Sequence, residues 1–183
     1  MKTKIILAAC VIIMTTAGFD CINSPLIVAL NAPITGCVAV NTGNGSFNGS
    51  SSAISIIGSI PSDYQNKLAA LRISDIRVSV SGAYPSGVVS GTGYFKFNNA
   101  NPEYTLLTFN GQYSAFAAGV SVLNSGGLIT INPAGLSALL SAISNVNTLP
   151  STITLRGQGS GPAVTQSFNL CLNISLQADA NAN

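Results

Sequence analysis

Phe168-Asn169-Leu170-Cys171-Leu172-Asn173-Ile174 alternates apolar and polar side chains with period two. That period marks a strand with one face buried. Phe168, Leu170, Leu172 and Ile174 share the core face, which puts Cys171 with Asn169 and Asn173 on the other. Ile76-Arg77-Val78-Ser79-Val80-Ser81 repeats the pattern, with Arg77 outward. So does Val88–Phe97, with Phe95 and Phe97 inward and Tyr94 and Lys96 outward. Further strands are expected at Leu26–Leu30, Ile34–Val40, Ala53–Ile57, Tyr104–Asn110, Gln112–Leu123, Leu128–Ile131, Ile153–Leu155 and from Val164 to Leu176. Asn31-Ala32-Pro33 is read as ending the first of these, because proline cannot donate to a ladder.

Two helical signals interrupt the strands. Ser62 followed by Gln65 has the form of a capping box, and Tyr64, Leu68 and Leu71 recur at i, i+4, i+7, which predicts a helix over 62–71. Asn132-Pro133 reads as a cap followed by proline at the first helical position. Leu136, Leu139, Leu140 and Ile143 then form one apolar stripe, ended by Thr148-Leu149-Pro150. The expected fold is mainly β: an antiparallel β-sandwich with two short helices. The order strand–helix–strand–hairpin recurs over 53–97 and 128–176, which suggests two degenerate repeats. Gly91-Thr92-Gly93 and Gly157–Gly161 read as turn glycines, since neither precedes a helix nor carries the lysine of a phosphate loop.

Residues 1–20 have the organisation of a secretory signal. Lys2 and Lys4 precede the apolar run Ile5–Met14, and Thr15-Thr16-Ala17-Gly18 supplies the small residues of a cleavage site. A single domain over 21–183, exported to the cell surface or the extracellular space, is the expectation. Leu7-Ala8-Ala9-Cys10 has the form of a lipobox but sits close to Lys4. Cys21 is better spaced, yet Gly18-Phe19-Asp20 departs from the pattern.

Four cysteines, at 10, 21, 37 and 171, leave three once the signal is removed. In an oxidising compartment an odd count implies one bridge and one further thiol. Cys37 is out of phase with Val38 and Val40, as Cys171 is with its neighbours. Two outward cysteines on neighbouring strands favour Cys37–Cys171, with Cys21–Cys171 and Cys21–Cys37 as the other pairings. Cys21 is then a lipidation site or an intermolecular thiol.

Composition excludes most chemistry. The chain has no His, so it offers no His base, no Ser-His-Asp triad and no His-containing metal site. Lys67, Arg72, Arg77, Lys96 and Arg156 balance Asp20, Asp63, Asp75, Glu103 and Asp179, so beyond Lys4 the charge cancels. A nucleic-acid footprint needs a basic excess that is missing here. Asp63 is explained by the first turn of a helix, Asp75 by Arg72 and Arg77, and Glu103 has no acidic neighbour. Asn41–Ser46 offers amides and hydroxyls but no carboxylate for calcium. No catalytic, cofactor or metal residue is expected, and no cofactor.

Charged residues make up 7% of the chain, and outward strand positions carry Ser, Thr and Asn instead. Charge repulsion, which keeps proteins apart, is therefore weak. The first functional reading is a non-enzymatic structural surface protein, a subunit of a filament, tube or layer built by strand addition. Leu26, Val28, Leu30, Ile34, Val38 and Val40 mark the joining strand, a stretch free of lysine. Its partners are copies of itself or other surface proteins, and a membrane only through a lipid anchor. The alternative is a monomeric adhesin-like module for a glycan, lipid or protein, with Tyr84, Tyr94, Tyr104 and Tyr113 as aromatic platforms.

Overall fold

The computed structural model describes residues 27–40, 45–82, 86–100, 102–161, 163 and 168–181. The signal segment, Cys10, Cys21, Leu26, the turn at Tyr84-Pro85, residues 41–44 of the calcium-type loop and residues 164–167 of the last strand lie outside them.

Ten strands alternate between two sheets. They are β1 Ile27–Val40, β2 Ser46–Ser50, β3 Ile54–Ser55, β4 Leu68–Gly82, β5 Val88–Phe97, β6 Tyr104–Gln112, β7 Val120–Ser121, β8 Ile129–Ile131, β9 Thr152–Ser160 and β10 Phe168–Asn181. Two helices join them, α1 Tyr113–Phe116 and α2 Pro133–Ser144. One sheet has the order β1-β10-β4-β7; the other is β2-β9-β5-β6-β8, with β3 also on β9. All pairings are antiparallel. An antiparallel sandwich in this order is a jelly roll, two Greek keys wound into a double sheet. The two expected repeat units pair reciprocally: β4 of the first with β10 of the second, and β9 of the second with β5 of the first.

The core lies between the sheets. Ile76, Val78, Val80, Leu170, Leu172 and Ile174 are buried from one side, and Phe95, Leu107, Phe109, Ile153 and Leu155 from the other. All but Leu107 and Phe109 are the alternating positions read from the sequence. Phe97 is half-buried and packs edge-on against Phe95, with ring centroids 5.2 Å apart. Among the described residues no helix is long and apolar enough to cross a membrane.

Several local expectations are corrected. β1 runs unbroken through Asn31-Ala32-Pro33. Residues 62–71 are not one helix: Ser62–Lys67 is a 3-10 turn, and Leu68 begins β4. No side chain caps the turn, and Gln65 instead donates to the carbonyl of Ile60. Leu68 and Leu71, three apart, suit a helix and would face opposite sides of a regular strand; a register shift between Ala70 and Leu68, opposite Asp179 and Ala180, lets both pack on the core from β4. Gln112–Leu123 is not one strand: α1 occupies Tyr113–Phe116, where Tyr113 and Phe116 together plug the core, and after Gln112 only Val120–Ser121 pairs, as β7 on β4. Asn110-Gly111, where the two expected strands Tyr104–Asn110 and Gln112–Leu123 meet, is consequently inside β6.

The strand at Ala53–Ile57 shrinks to β3 and a 3-10 turn at Ile57–Ser59. Asn132 caps α2 by accepting from the Gly135 amide, as expected. The buried stripe is Gly135, Leu139 and Ile143, while Leu136 sits at the margin and Leu140 is 43% exposed. The expected turn glycines are strand glycines. A Cβ on Gly91 would meet Phe109 Cζ at 2.6 Å and the Gln158 carbonyl at 2.7 Å, and one on Gly159 would overlap the Ser90 carbonyl oxygen. Glycine here lets β5 and β9 close over the Phe109 ring.

Candidate functional site: an open sheet edge and a polar sheet face

β1 is the end strand of its sheet. It pairs with β10 over its full length, from Ile27 opposite Asn181 to Val40 opposite Phe168. Ala32, Ile34, Val38 and Val40 point into the core, whereas Val28 and Leu30 are half-buried. Leu26 falls outside the described residues. Cys37 stands directly opposite Cys171, and the two are joined by a disulfide with a Cα–Cα distance of 4.0 Å. So close a pair is of the non-hydrogen-bonded kind. Alternation then aims the backbone N–H and C=O groups of Ala29, Asn31, Thr35, Cys37 and Ala39 away from β10, at the open edge. Pro33 has the same parity, so its missing N–H costs the ladder to β10 nothing. No charged side chain stands on β1. The bridge ties β1 to β10 within its own sheet.

The outer face of the second sheet is polar. Asn48, Gln158, Thr92, Thr108 and Thr130 are register partners across β2, β9, β5, β6 and β8, forming one straight row. The next row sets Arg156 beside Tyr94. The Arg156 guanidinium lies 4.1 Å above the Tyr94 ring centre. It donates to Glu103 at 2.6 Å, to Asn48 at 3.0 Å and to Gln158 at 2.9 Å. The Arg156 bond holds the Glu103 carboxyl below its usual range, more than burial raises it. Glu103, which has no acidic neighbour in the sequence, is thus paired with a basic residue 53 positions away. Of the four tyrosine platforms, only Tyr94 is placed on this face. Tyr104 stacks on Phe95 at 5.3 Å. Tyr113 is fully buried against Phe168 at 4.9 Å, and Tyr84 is outside the described residues.

On the other sheet Asp75 accepts from Arg77 at 2.6 Å and from the Ser121 hydroxyl at 2.6 Å. Burial raises its carboxyl, but those bonds outweigh it and the group sits below the ordinary value. Arg72, expected beside Asp75, pairs with Asp179 at 2.5 Å instead. A carboxyl lowered on folding contributes stability that is present above its unfolded value and is lost as pH falls through the folded one. Glu103 should therefore hold its contribution above about pH 4.5 and lose it below. Thermal melts from about pH 6 down to about pH 3 check this: Glu103→Gln should flatten the acid side of the curve relative to wild type. Parallel curves would show that the Glu103–Arg156 pair contributes nothing to folding.

Among the described residues no group of three or more His, Cys, Asp or Glu could hold a metal ion. No protein-family model matches the chain, and no curated protein matches it. Solved structures that resemble it include two from viruses. A chain of desmodium yellow mottle tymovirus is 13% identical over 88% of this chain and 91% of that one, with a TM-score of 0.41. A chain of turnip yellow mosaic virus, from a structure at 100 K, is 12% identical over 87% and 96%, with a TM-score of 0.39.

Proposed function

We propose that this is a non-enzymatic, secreted structural protein of the cell surface, which joins copies of itself into a filament, tube or layer by strand addition at β1. One observation carries the reading: β1 is a 14-residue edge strand without a charged side chain. Its outward N–H and C=O groups are a template for another strand. Natural monomers guard such an edge with lysine or proline, and here the guard is Pro33 alone. A charge content of 7% supports the same reading, because little repulsion opposes close packing of copies. The basic start and apolar run of residues 1–20 support export.

The test is the assembly state of the mature protein at high concentration, by sedimentation and electron microscopy. Ordered polymers are expected, insensitive to added salt, because screening removes only charge–charge terms. Thr35→Pro removes one edge-directed donor without touching the ladder to β10, and Thr35→Lys places a guard there. Both should give folded monomers that melt within about 3 °C of wild type. A wild-type protein that stays monomeric, or variants that polymerise unchanged, would overturn the proposal.

A further inference from the structure

We propose that the outer face of the six-stranded sheet is a binding groove for a neutral saccharide chain. The site is separate from the β1 edge. A cavity of about 470 Å³ lies over Thr92, Thr108, Thr130 and Asn110, walled by Leu128 on one side and by Tyr94 on the other. That volume falls in the range of small-molecule sites.

The chemistry of the lining selects the ligand. Hydroxyl and carboxamide groups each donate and accept, as the hydroxyls of a sugar do. Among the described residues, the side chains of Thr92, Thr108, Thr130 and Asn110 make no hydrogen bond within the protein, whereas Ser90 and Ser160 at the margin share one of 3.2 Å. Among the described residues these four groups have no partner and are open to a ligand. Register fixes their spacing, because Thr92, Thr108 and Thr130 are direct partners on three neighbouring strands. A row across a sheet repeats at about 4.8 Å, which suits an extended chain that presents hydroxyls at intervals.

Charge excludes the other polar ligands. Among the described residues no Asp, Glu, Lys or Arg lines the cavity. The nearest cation, Arg156, is matched by Glu103, and its other donors go to Asn48 and Gln158. Lys96, the next outward residue after Tyr94 on β5, stands toward Glu103 and is not part of the lining, so an anion in the cavity would touch no cationic side chain among the described residues, and a metal ion no carboxylate. The same network fixes the Tyr94 ring from one side. A ring held in this way supplies apolar surface for sugar C–H groups at little entropic cost.

The experiment is an NMR titration of the mature protein with cellotetraose, laminaritetraose, mannotetraose and chitotetraose, each up to about 10 mM, where even a weak site fills. At least one should shift amide signals at 92, 94, 108, 110 and 130 in a saturating manner. Thr108→Val/Thr130→Val removes two hydroxyls and keeps the shape and strand preference of both side chains. It should weaken that binding by about tenfold or more, with melting temperature and assembly unchanged. A protein that responds to none of the four sugars overturns the proposal. So do shifts that map elsewhere, or a double valine variant that binds as wild type does. Because these substitutions leave β1 intact, failure here is distinct from failure of the assembly reading.

Discussion

Replacing Cys37 by alanine and Cys171 by valine should lower the melting temperature by about 10 °C or more. The bond spans 134 residues of sequence. In the chain-entropy account, closing so long a loop restricts the unfolded chain by up to about 5 kcal/mol, commonly less. For a domain of this size each kcal/mol moves the midpoint by about 2–4 °C. Valine at 171 keeps an apolar group where Cys171 is buried between β1 and β4, so the loss reports the bond rather than a cavity. Melts of wild type with and without reductant check it, and reduced wild type should match the variant. A shift under about 3 °C would mean that the 14-residue pairing with β10 suffices alone.

Gly135→Ala should be destabilising by about 2–3 kcal/mol, although alanine is the better helix former by about 1 kcal/mol. At this position α2 rests on β6. An added Cβ would overlap the Thr105 carbonyl oxygen and stand 2.8 Å from that carbonyl carbon and 3.2 Å from the Leu106 Cα. Backbone on both sides cannot yield, so the helix must lift. Lifting loosens Leu139 and Ile143 from the core and stretches the 2.8 Å bond from the Asn132 amide to the Leu106 carbonyl. The control is Ser137→Ala on the exposed side of α2, which should be neutral or slightly stabilising. Denaturant titration of both checks the account. Equal stability of Gly135→Ala and wild type would show that α2 docks more loosely than its contacts imply.

Side-chain phase was legible in the sequence because burial writes it there. Val78, Val80, Leu170 and Leu172 alternate against polar neighbours, and the cysteines fell out of phase on two strands that prove adjacent. The Asn132 cap was legible for a similar reason, since its partners are local. Leu68 and Leu71 misled because three-residue spacing is helical, and the bulge that brings both to the core from a strand is set by pairing with β10. Tyr113 and Phe116 were read as strand for want of any local signal that they fill the core from a single helical turn. The strand glycines misled because their reason is the Phe109 ring on another strand. The polar row escaped because Asn48, Gln158, Thr92, Thr108 and Thr130 come from five strands and become a row only once topology is set.

Ile27 lies opposite Asn181, so the first and last described residues leave the sandwich at one corner. The far ends of the same two strands, Val40 and Phe168, lie about 45 Å away at the usual rise per residue. A tether attached ahead of Ile27, whether lipid or polypeptide, would suspend the domain like a lamp from its flex, with that opposite pole outermost. Fusions joined directly at Ile27 and at Asn181 would crowd the same spot, so a reporter placed there probes the root of the molecule and leaves its tip free.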